Sequence, residues 1–118
     1  MIAHDFRWEP TSRRRAMRAV ILLAEPYDLV GTLLGMAGSS PESWLFRDFL
    51  PILEQVVRGE QSAFEDGYND LGVRGDAQES IIELFLTDPP PRCVVPTAEL
   101  LDLVVRWREF LRAGPPRT

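Results

Sequence analysis

Carboxylates dominate the side chains of this chain that could do chemistry. Glu65, Asp66, Asp70, Asp76 and Glu79 fall in one short stretch, "EDGYNDLGVRGDAQE", with Tyr68 among them. A calcium loop would need ligands alternating along twelve residues and a closing glutamate. This spacing lacks both, so no metal site is assigned to it. His4 is the only histidine, and a Ser-His-Asp or Cys-His arrangement would have to recruit it from the start of the chain. Cys93 stands beside Val94 and Val95 with no positive neighbour to stabilise a thiolate, which reads as a small buried apolar residue. The glycines come singly, in neither the P-loop nor the GxGxxG spacing that cradles phosphate. The expectation is a non-enzymatic protein with no catalytic residue, metal or cofactor.

Arg74-Gly75-Asp76 would matter on an extracellular ligand displayed at a loop tip. Here no export segment is read, and glycine followed by aspartate is what a tight hairpin turn uses. One cysteine excludes an intramolecular disulfide, and the longest apolar run, Ala19 to Ala24, is too short to cross a bilayer. A cytoplasmic protein is expected.

The charge is unevenly spread. Residues 1–24 hold five arginines against Asp5 and Glu9, a net of +3; residues 25–91 hold thirteen acids against three arginines, a net of −10; residues 92–118 hold five arginines against three acids, a net of +2. These give the total of −5. An acidic block of this kind repels nucleic-acid phosphate and attracts basic proteins. Direct DNA or RNA binding is disfavoured, and the bland alternative is a solvated, solubilising face.

The elements that must position these residues follow from periodicity and punctuation. Leu100, Leu103, Val104, Trp107 and Leu111 share one helical face, with Thr97 as cap and Gly114-Pro115-Pro116 as stop, which predicts a helix over 98–112. Ser40-Pro41 opens a second helix that Gly59 ends, and Pro51 predicts a kink or break near Arg47 to Leu50. Asp28 starts a short third helix. Between them, alternation predicts an antiparallel hairpin over about 68–87, with residues 69–74 facing 79–86 and further short strands in Ser62 to Asp66 and "CVVP". Residues 12–24 fit helix or strand equally. The fold class is α+β: a small antiparallel sheet against three to four helices in one domain, with 114–118 as a tail.

Trp44, Phe46, Phe49, Phe85, Trp107 and Phe110 fall on faces assigned to the core. Alternation places Tyr68 with Asp70 and Arg74, opposite Leu71 and Val73, as an exposed interface anchor.

The order of parts, "WLFRDFLPILEQVVRG", then "GYNDLGVRGDAQESIIELF", a proline break and "PTAELLDLVVRWREFL", resembles the small immunity proteins of bacterial contact-dependent inhibition and polymorphic toxin systems. The likeness covers residues 40–112 and is carried by the hairpin asparagine and the tryptophan of the closing helix. It implies a cytoplasmic protein that binds and blocks a cognate toxin domain, often a basic nuclease. Charge and expected exposure, rather than the resemblance, select Glu65, Asp66, Tyr68, Asp70, Asp76 and Glu79 as partner-binding residues. Two other classes stay open: a small-ligand or enzymatic domain of unknown chemistry, and an oligomeric adaptor using the leucine-rich helices.

Overall fold

The computed structural model describes residues 2–11 and 17–116. Residues 12–16, part of the segment that fits helix or strand, and residues 117–118 of the expected tail lie outside the described residues. The elements run β1 (Asp5–Pro10), β2 (Met17–Leu22), α1 (Asp28–Ala37), a π-helical turn (Leu45–Phe49) continuing into α2 (Leu50–Val57), β3 (Ala63–Tyr68), β4 (Leu71–Asp76), β5 (Glu79–Leu84), β6 (Arg92–Pro96) and α3 (Thr97–Ala113). The fold is α+β, with a two-stranded sheet β1-β2 and a four-stranded antiparallel sheet ordered β3-β4-β5-β6.

The four-stranded sheet is a meander of expected strands. β4 pairs with β5 from Leu71 opposite Leu84 to Gly75 opposite Ser80. Asn69 turns the β3–β4 corner at φ +52°, a left-handed conformation that asparagine tolerates. Leu71, Val73, Ile82, Cys93 and Val95 point inward and are buried under the helices. Residues 17–22, where helix and strand were both open, form β2 and pair with β1 from Asp5 opposite Leu22 to Pro10 opposite Met17.

Pro51 acts one turn earlier than its own position. It has no N–H for the Arg47 carbonyl, and the helix widens before it, so that the Leu50 N–H reaches back to the Leu45 carbonyl. The expected kink is therefore a π turn. The helix also opens later than Ser40-Pro41 predicts. The Phe46 and Arg47 N–H groups both donate to the Ser43 carbonyl, and the Ser43 hydroxyl accepts from the Ser40 N–H at 2.8 Å. Residues 40–43 thus form a turn that precedes the helix instead of its cap.

Trp107 sits where the layers meet. It is 1% exposed, its Nε1 donates to the buried Gly38 carbonyl at 2.8 Å, and its ring meets those of Phe6 and Phe110. Trp8 stacks on Phe110, which fixes the β1-β2 hairpin against α3.

Candidate functional site

Helices α1, α2 and α3 contact strands of the four-stranded sheet. The alternation that buries Leu71, Val73, Ile82 and Cys93 beneath them turns the intervening residues outward. Register sets these in rows. Glu65, Arg74, Ile81 and Val94 form one row across the four strands, and Gly67, Gly72, Glu83 and Arg92 form the next. Val94 is 46% exposed and Phe85, just past β5, is 56% exposed. Arg74 lies within 3.2 Å of Glu83. This open face joins an apolar patch on β5 and β6 to a charged region on β3 and β4.

The expected partner-binding residues divide between surfaces. Glu65 and Glu79 are exposed on the open face. Asp70 lies in the β3–β4 turn, where its carbonyl accepts from the Phe85 N–H at 2.8 Å. Asp66 and Tyr68 turn the other way. A two-residue turn pairs Tyr68 directly with Leu71, and directly opposed residues share a face, so Tyr68 sides with Leu71 and Val73 instead of Arg74. Its ring meets Trp44 at 5.4 Å and is half-buried. The exposed-anchor expectation for Tyr68 is therefore corrected. Asp66 is a half-buried charge on an edge strand, a device that discourages pairing with another chain.

Phe85 is a second correction. It shares the parity of Ile81 and Glu83, and its ring leaves the core to lie over Gly72. Ile81, Glu83, Phe85 and Val94 complete the open face without having been singled out for binding. The signal was present in "ESIIELFL", but both of its alternating sets contain apolar residues, which hides the outward one.

Each residue of Arg74-Gly75-Asp76 has a structural role. Arg74 pairs with Glu83, as above. A side chain at Gly75 would collide with the Glu79 carbonyl and the Ser80 backbone, so the strands approach too closely for anything but glycine. The Asp76 carboxylate accepts from the Glu79 N–H at 3.0 Å and the Gln78 N–H at 2.8 Å, closing the β4–β5 turn. Those two bonds, Glu79 first, hold its pKa below the ordinary carboxylate value. A lowered folded pKa means that the stabilisation is present above the unfolded value of about 3.9 and is lost as pH falls through the folded pKa. Asp76→Asn keeps an acceptor oxygen but cannot titrate. Urea midpoints measured across acid pH are expected to fall more steeply for the parent than for this variant; parallel curves would show that the turn does not depend on the charge.

Among the described residues no group of three or more His, Cys, Asp or Glu side chains is placed to hold a metal ion. Cys93 is buried, and burial followed by the charge of Asp28 raises its pKa, the opposite of a reactive thiol. No helix among the described residues is long and apolar enough to cross a membrane. The fold and face define a small α+β protein with one exposed side of a meander sheet. No family model, curated protein or solved structure matches the chain.

Proposed function

We propose that this protein binds a basic protein through the open face of its four-stranded sheet and neutralises it, as an immunity protein covers a toxin domain. The observation that carries this reading is the composition of that face. Ile81, Val94 and Phe85 supply an apolar centre, while Glu65, Glu79 and Glu83 supply flanking carboxylates. Protein interfaces combine an apolar core with a polar rim, and an exposed apolar cluster edged by charge is a common form of docking surface. The acidic middle of the sequence extends the attraction beyond contact range.

Affinity capture from the source cells with the parent and with Val94→Arg tests the reading. Val94 is exposed on an edge strand, so the substitution leaves the core intact while placing a positive charge at the apolar centre. A basic protein held by the parent should bind this variant about tenfold more weakly or worse, the loss expected at a central contact. Charge reversal at Glu65 and Glu79 should slow association by about tenfold at low salt and flatten its salt dependence. A partner held equally by Val94→Arg would overturn the open-face assignment. Recovery of a metabolite alone would favour the small-ligand class.

A further inference from the structure

The open face has a gap where two glycines meet. Gly67 and Gly72 are directly paired across β3 and β4, so the sheet presents bare backbone there. Around it lies a cavity of about 400 Å³ whose lining includes Glu65, Asn69, Arg74, Glu83 and Phe85. One wall is aromatic: a Cβ placed at Gly72 would sit 2.6 Å from the Phe85 ring, so that ring lies directly over the glycine. The Phe85 N–H bond to the Asp70 carbonyl fixes the backbone that carries it. The charges are unequal. Arg74 is paired with Glu83, while Glu65, exposed and opposite Arg74 in register, has no ion-pair partner among the described residues. The gap therefore offers an aromatic ring and an unpaired carboxylate to whatever enters it.

We infer that this gap seats one arginine side chain of the partner protein, its guanidinium stacked on Phe85 and directed to Glu65. The inference deepens, and rests on, the open-face reading. A planar guanidinium meets both features at once, since it stacks on an aromatic ring and presents a fork of donors to a carboxylate. An ammonium has no plane to stack. An acidic or neutral side chain would face Glu65 without compensation. The ring covers Gly72, while a Cβ at Gly67 would meet only the Leu71 carbonyl, so the room lies on the Gly67 side, between Phe85 and Glu65.

The probe is N-acetyl-arginine methylamide, titrated into the full chain and followed by amide and aromatic-ring NMR, with the citrulline amide as its uncharged isostere. Saturable shifts are expected at the Gly67 and Gly72 amides and the Phe85 ring, with the citrulline compound binding about tenfold more weakly. Gly72→Val fills the gap with a residue that strands favour, and the Phe85 ring it meets is exposed and free to move. It should abolish the shifts, and Glu65→Gln, which alters no described hydrogen bond, should weaken them. Shifts that are absent, equal for citrulline, or unchanged in both variants overturn the inference. If Val94→Arg loses its protein partner while the arginine amide moves nothing, the face binds protein and the gap is not an arginine seat. If the amide binds but no protein requires the face, the open-face reading fails and this inference falls with it.

Discussion

Replacing Trp107 with alanine is expected to cost about 3–5 kcal/mol, the range for removing a buried large aromatic. A further deficit of about 1–3 kcal/mol follows from the Gly38 carbonyl, which loses its donor inside the core. Against a total stability of about 5–15 kcal/mol for a domain of this size, a loss of about 4–8 kcal/mol removes a large share, and the urea midpoint should fall steeply. Trp107→Phe separates the two contributions. It restores much of the contact with Phe6 and Phe110 while leaving the carbonyl unpaired, so its urea midpoint should lie between those of the parent and Trp107→Ala. A Trp107→Ala protein that melts within a degree or two of the parent would overturn the role of this residue as the joint between the hairpin, α3 and the α1 terminus.

Trp107 was legible because helical periodicity is a local signal. Five apolar residues on one face, a stop at Gly114 and the alternation of Leu71 with Val73 each need only a few neighbouring residues to be read. β1 was not anticipated, although Phe6 and Trp8 alternate with Asp5, Arg7 and Glu9. Its pairing with β2 spans the residues between them, and a two-stranded sheet has no internal reason to form until α3 supplies the surface for Phe6 and Trp8. The opening of the second helix failed for a related reason. Ser40 and Ser43 are both competent to organise the chain, and only the hydrogen bonds show that Ser43 receives those from Phe46 and Arg47.

The candidate face was less legible than the fold because it depends on parity through turns. Glu65 and Glu79 were placed outward by charge alone. Tyr68 required knowing that two residues, and not three, make the β3–β4 corner; one residue more would have reversed its side. In the sequence, Phe85 reads as packing, on a face assigned to the core with the other large aromatics. Its parity with Ile81 and Glu83 turns it outward, and Gly72, which stands opposite Gly67, gives its ring a bare surface to cover outside the core. Neither glycine signals this by itself, since their opposition exists only once the strands are in register.

The second large effect is expected at Thr97, where the β4–β5 turn is tied to the start of α3. Ser80 and Thr97 are both fully buried, and their hydroxyl oxygens lie 2.8 Å apart. The Thr97 hydroxyl has a single hydrogen, which goes to the Asp76 carbonyl at 2.6 Å, so Ser80 must be the donor between the two hydroxyls. Thr97→Val preserves shape but leaves the Ser80 hydroxyl and the Asp76 carbonyl unpaired, at about 1–3 kcal/mol each. Ser80→Ala removes only a bond that Thr97 accepts, and should cost about 1 kcal/mol. The double variant no longer strands the serine, so its loss should fall short of the sum by about 2–4 kcal/mol, the cost of the stranded serine plus that of the bond Ser80→Ala removes, a coupling that urea unfolding of the four proteins can resolve. Additive losses would mean that the hydroxyls do not form this directed chain. With coupling present, Thr97→Val should also speed amide exchange at Gln78 and Glu79, because the lost hydroxyl holds the Asp76 carbonyl and the Asp76 carboxylate accepts from both of those N–H groups.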